Sequence, residues 1–163
     1  SVAIHNLIFT DDLLAEFPTA AKVLPPLRTK KDIKALIKGI QDGTIDMVTS
    51  DHMPIDIEHK KVEFENAMNG TIGLESAFGA LNILLSLEDT IDLLTKGRGR
   101  FNIEEPVIEE GARANFSLFN PKTSYKFTEA NIHSTSKNSM FLETQLKGMV
   151  YGIISGDKVE LVN

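Results

Sequence analysis

The chemistry most open to reading lies in Asp46-Met47-Val48-Thr49-Ser50-Asp51-His52-Met53-Pro54-Ile55, where a short apolar strand pattern runs into a carboxylate and an imidazole before Pro54 stops it. A carboxylate at the carboxyl end of a strand can ligate a metal, act as a general base, or do both, and barrel enzymes keep their reactive groups at such ends. The structural alternative for Asp51 is a loop aspartate that caps the next turn. His52 can orient Asp51 or simply satisfy a backbone group, and His5 carries the same two readings. His59 stands in a charged run with Glu58, Lys60 and Lys61, for which a solvated face is expected. His133, beside Ser134 and Ser136, reads as a loop residue. Arg28 can attract an anionic substrate or pair with a nearby carboxylate. Lys96, Arg98 and Arg100 alternate with glycines but lack Walker spacing, and cations at a helix C-terminus are accounted for by its dipole. Gly70 and Gly73 fit a turn and close helix packing.

Composition narrows the chemistry. The 163 residues include no cysteine, so any metal must be held by histidine and carboxylate. A net charge of −6 argues against a nucleic-acid surface. No apolar run approaches the roughly 20 residues that span a membrane, and no basic-then-apolar signal follows Ser1. A cytoplasmic protein is expected.

The elements that must position Asp51 follow from periodicity. Val2 to Ile4 is strand-like. Thr10-Asp11-Asp12 with Leu13, Leu14 and Phe17 reads as a capped helical turn, and the prolines of Lys22 to Arg28 impose an extended path. Thr29 to Asp32 has capping-box spacing, and Ile33, Leu36, Ile37 and Ile40 form one helical stripe ending at Asp42-Gly43. Strand, helix, strand at this spacing is a βαβ unit with parallel strands. Glu58 to Glu65 reads as exposed. Two further helices follow, one through Leu74, Ala77, Phe78, Leu81, Leu84 and Leu85, the other from a second capping-box spacing at Ser86. After Pro106 the signals are strands: Ala114 to Phe119, Ser124 to Phe127, Leu146 to Ser155 and Val159 to Val162, with turns at Asn120-Pro121 and Gly156-Asp157. The expected division is residues 1–105 and residues 106–163. The chain is too short for a whole (β/α)₈ barrel of ~250 residues. The expected fold is α/β: the last two strands of a TIM barrel with their helices, then a small β-sandwich-type unit.

Several motifs in order resemble the dihydroorotases of the amidohydrolase superfamily over nearly the whole chain. They are His5-Asn6-Leu7 with Thr10-Asp11-Asp12, Lys22-Val23-Leu24-Pro25-Pro26-Leu27-Arg28, and Asp42-Gly43-Thr44-Ile45-Asp46. Asp51-His52-Met53-Pro54 with Glu58 and Lys60, Gly70, Gly73-Leu74-Glu75, and Gly111 through Pro121 continue the set. The resemblance implies reversible cyclisation of N-carbamoyl-L-aspartate to L-dihydroorotate in pyrimidine synthesis, with zinc-activated hydroxide as nucleophile and Asp51 as both metal ligand and proton shuttle. It also implies that the barrel is of the metal-dependent-hydrolase kind, with substrate-contacting positions at His5, Leu24, Ile55 and Gly70.

Departures from the pattern open a second reading. The family's upstream ligands, a His-x-His pair, a bridging carboxylate or modified lysine, and middle-strand histidines, are not in this chain, and one aspartate cannot hold a catalytic zinc. The family usually has asparagine where Leu24 stands and histidine where Ile55 stands, and the paired histidines are reduced to His5-Asn6. Each lost polar contact to a charged substrate costs ~1.5–3 kcal/mol, so two reach ~10²–10⁴ in binding or rate. The two expectations are therefore a zinc dihydroorotase represented by its C-terminal part, inactive alone, and a catalytically silent relative that assembles with aspartate carbamoyltransferase. An open strand edge at Val2 to Ile4 adds the expectation of self-association into a homo-oligomer.

Overall fold

The computed structural model describes residues 1–161. Strand β1 (Val2–Ala3) leads into a single helical turn, α1 (His5–Ile8), and the chain returns along an extended path to α2 (Lys30–Gln41). Strand β2 (Val48–Thr49) then pairs in parallel with β1, Val2 opposite Val48 and Ala3 opposite Thr49. Bonds from Val2 N–H to Met47 O (3.1 Å) and Ile4 N–H to Thr49 O (2.9 Å) fix that register. Parallel pairing requires a crossover, and α2 supplies it. The α2 capping box forms as the spacing predicts, Thr29 Oγ1 accepting from Asp32 N–H while Asp32 accepts from Thr29 N–H. The stripe Ile33, Leu36, Ile37 and Ile40 is only half-buried. Thr10 to Phe17 does contain a helical turn, but it is a 3₁₀ segment over Asp11–Glu16 without a side-chain cap.

The run expected to be exposed contains one exception. Lys60 is 2% exposed, its ammonium donating to Met68 O (2.7 Å) and Gly70 O (2.8 Å). A lysine goes inside only where carbonyls receive its protons, and burial pushes its pKa down to about 8. Lys22 ties the same loop from outside, donating to Phe64 O and Glu65 O at 2.8 Å each.

Helix α3 (Leu74–Leu84) is largely buried, and α4 (Leu87–Thr95) starts where Ser86 accepts the Asp89 N–H at 3.1 Å. Lys96 pairs with Asp92 and Arg100 with Asp46, so two cations of the glycine-alternating segment have carboxylate partners. Strands β3 (Asn115–Lys126), β4 (Gln145–Ser155) and β5 (Lys158–Leu161) form an antiparallel sheet in the order β3-β4-β5. One strand runs through Asn120-Pro121, where a turn was expected. The register shifts between Asn120 and Ser124 instead, a bulge that accommodates proline's missing N–H. Asn82 of α3 holds this bulge, its Nδ2 donating to Pro121 O and Lys147 O at 2.9 Å each. Gly156-Asp157 makes the expected tight hairpin, Gly156 at φ 63°. Of the expected strand Val159 to Val162, Val162 lies outside the described residues.

One apolar cluster runs across residue 105: Ile4, Val48, Ile72 and Leu81 share it with Phe127, Phe141 and Leu146. Phe9 meets Phe141 edge to face at 4.9 Å. Helix α3 packs on β4 through Gly79, where a Cβ would stand 3.0 Å from Leu146 Cβ. Val159 and Leu161 on the free edge remain exposed. No helix among the described residues is long and apolar enough to cross a membrane.

Candidate functional site

Because β1 and β2 are adjacent and parallel, the residues that follow them are brought to the same end. His5 Nε2 lies 3.8 Å from Asp51 Oδ2, too far for a hydrogen bond. The imidazole is fully buried, and neither Nδ1 nor Nε2 has a hydrogen-bond partner. Burial lowers the His5 pKa while the Asp51 carboxylate opposes that shift in part, so the ring presents a neutral lone pair. Neither ring nitrogen is engaged by another protein group, so each is open to a partner from outside these residues. Asn6 adds a third unsatisfied atom: Nδ2 donates to Pro26 O at 3.3 Å, but its buried Oδ1 has no partner. A cleft of about 730 Å³ opens here, lined by Asp51, Asn6, Pro26, Arg28 and Leu36 among others. Arg28 is exposed and forms no ion pair among the described residues.

Asp51 itself has φ 46°, a left-handed conformation that aspartate tolerates better than most residues. The segment after it is tied down. His52 bridges Thr71, Met53 N–H donates to Thr71 O (2.9 Å), and His52 Nδ1 accepts the N–H of Leu74 at 3.2 Å. His52 thus caps α3, whose own N-cap residue, Gly73, offers no side chain. Glycine is required there because a Cβ would collide with the Ser50 carbonyl. Glu75 Oε2 lies 3.7 Å from His52 Nδ1, and Glu75 Oε1 accepts from Ser134 N–H at 2.9 Å.

The expected site residues separate into groups. Asp51 and His5 come together. Ile55 and Gly70 come together elsewhere, a Cβ on Gly70 falling 3.0 Å from Ile55 Cγ1. Gly70 has φ 138°, donates its N–H to Lys22 O (2.8 Å) and gives its carbonyl to Lys60 and Asn138. Its backbone is therefore fully employed within the chain. Leu24 is 68% exposed and does not line the cleft at Asp51. His59 and His133 are exposed. The pairing of His5 with Asp51 was not anticipated from sequence, although both residues follow apolar strand patterns, the signal that strand neighbours share an end. Among the described residues no group of three or more histidine, cysteine, aspartate or glutamate side chains can hold a metal ion. His5 and Asp51 are two side chains of ligating type 3.8 Å apart, one short of the three that a catalytic zinc takes from protein.

The fold matches that of a segment of solved hydantoinases and dihydropyrimidinases. L-hydantoinase (dihydropyrimidinase) from Arthrobacter aurescens superposes with TM-score 0.86 over 99% of this chain and 40% of its own, at 22% identity. The inactive dihydroorotase-like domain of the Chaetomium thermophilum CAD-like multifunctional protein superposes at 0.58 over 96% of this chain and 42% of its own, at 17% identity. By sequence the chain is homologous to the dihydroorotases. That of Caldicellulosiruptor saccharolyticus is 37% identical over 162 residues, 95% of this chain and 38% of the relative. The chain thus spans about 38% of the length of the curated relatives it matches. No family model matches it.

Proposed function

We propose that this chain is the C-terminal part of a cyclic amide hydrolase interconverting L-dihydroorotate and N-carbamoyl-L-aspartate, with Asp51 as its reactive carboxylate. The observation that carries this reading is the buried, unpartnered His5 imidazole facing Asp51 at the ends of two parallel strands. In this reading His5 and Asp51 hold a divalent metal, zinc by family resemblance, together with ligands from outside the described residues. Such a metal supplies the Lewis acidity that makes water a nucleophile at neutral pH. The Asp51 carboxylate accepts the proton released as water adds to the ring amide carbon, then delivers it to the nitrogen as the C–N bond breaks. Arg28, exposed on the cleft without a carboxylate partner, holds the substrate carboxylate. The division near residue 105 separates barrel from β unit. The exposed Val159 and Leu161, opposite Ile154 and Gly152, are compatible with a second β layer over the sheet. The absence of cysteine suits a cytoplasmic setting, where disulfides are rare.

A second reading rests on the family pattern at Leu24 and Ile55 rather than on the cleft, which neither lines: the protein keeps the fold without the activity and serves as an assembly partner of aspartate carbamoyltransferase or of its own copies. The test is metal content and dihydroorotate hydrolysis on the full-length protein. Bound zinc, with turnover lost at least ~10³-fold in Asp51→Asn, supports the enzyme. Well-folded protein with neither metal nor turnover overturns it and directs attention to a pull-down with the carbamoyltransferase.

A further inference from the structure

The strand end at Asp51 is braced by a loop from the other part of the chain. Ser136 Oγ donates to Ile55 O at 2.8 Å, and Asn138 Nδ2 donates to Gly70 O at 3.0 Å. Ile72 N–H donates to Asn138 O (2.9 Å), Ser139 Oγ to Ile72 O (3.2 Å), and Met140 N–H to Thr71 Oγ1 (3.0 Å). Asn138 N–H returns to Ser136 Oγ at 3.3 Å, so the loop holds its own hydroxyl in place. Ser134 N–H completes the row on Glu75. Thr71 is the hub: its carbonyl receives Met53 N–H, and its hydroxyl is engaged by the loop through Met140. A continuous path of hydrogen bonds therefore runs from residues 134–140 through residues 70–75 to residues 52–55, immediately after Asp51. None of these loop residues lines the cleft beside Asp51.

We infer that residues 134–140 form a strap that positions the Asp51 strand end, with Ser136 and Asn138 as its positioning residues. The inference deepens the functional reading above, since it takes Asp51 as the reactive carboxylate; the brace itself rests on the hydrogen bonds alone. Precise placement matters because a 1 Å displacement of a reacting group can cost ~10²-fold in rate. The strap also accounts for Ile55, whose carbonyl, rather than side chain, is the anchored group.

The experiment compares Ser136→Ala, Asn138→Ala and the hydroxyl-retaining Ser136→Thr, each made in the full-length protein, by peptide-resolved amide hydrogen exchange and by dihydroorotate turnover in the same preparations. Exchange over residues 52–56 and 70–74 is expected to rise ~10-fold in both alanine variants, with parent rates in α2 and α4 and with recovery in Ser136→Thr. In turnover, kcat is expected to fall ~10-fold or more while KM moves less than ~3-fold, because the cleft lining is untouched. Parent-like exchange at residues 52–56 overturns the inference. So does an equal rise in α2 and α4, which is general loosening, or raised local exchange with unchanged kcat. If the parent itself does not turn over dihydroorotate, the enzymatic reading fails, and the exchange pattern alone decides whether the strap holds the strand end.

Discussion

Lys60→Met offers a direct measurement of what a buried ammonium does to this loop. The substitution keeps the reach of the side chain and removes the charge that donates to Met68 O and Gly70 O. Lys60 falls from 10.5 to about 8 on folding because burial disfavours the charged form, with a smaller contribution from Lys22. Between those two values the unfolded chain binds more protons than the native one, so stability rises with pH across the window from about 8 to 10.5 and is flat for this group below it. At about 1.36 kcal/mol per pKa unit the full span is worth about 3 kcal/mol. The two carbonyls favour the charged form and make this an upper bound. At neutral pH the variant relieves the burial cost but strands two carbonyls at ~1–3 kcal/mol each, so the slope with pH is the informative quantity. Urea unfolding of parent and variant at about pH 7 and about pH 10 measures it. The parent is expected to gain ~2–3 kcal/mol more than Lys60→Met over that interval. Subtraction removes opposing contributions such as Tyr125, whose hydroxyl burial pushes up. Equal changes in the two proteins refute a depressed lysine here.

Two further outcomes follow from geometry. Gly70→Ala places a Cβ 2.9 Å from Met53 Cβ at a backbone φ of 138°, so thermal or urea unfolding is expected to show a loss of ~2 kcal/mol or more. Thr29→Ala removes the acceptor for the Asp32 backbone N–H and is expected to cost ~1 kcal/mol in urea unfolding, most of it persisting in an Asp32→Ala background because that backbone donor remains, as a double-mutant cycle checks.

What sequence reasoning could reach was set by how local each cause is. The α2 capping box, the parallel βαβ unit and the Gly156-Asp157 hairpin depend on residues within a few positions or one crossover, and they form as the spacing predicts. Asn120-Pro121 looked like a turn because the group that keeps the strand running, Asn82, lies 39 residues away. Lys60 looked solvated for the same reason: nothing in a charged run announces that Met68 and Gly70 turn their carbonyls inward. Asp51 and His5 were each visible as tips of apolar runs, but their meeting depends on which strands pair. The Ser134 to Asn138 loop offered only turn-like composition, and its acceptors lie on another part of the fold.

The cap on α3 ties the start of a helix to the making of the site. A helix whose first N–H is received by a residue 22 positions earlier cannot finish its N-terminus from its own sequence. That turn is completed by a side chain that β2 delivers, so the strand end and the helix start share one hydrogen bond. His52→Leu is therefore expected to loosen both ends at once, seen as faster amide exchange at residues 52–53 and 74–76 with α2 unchanged.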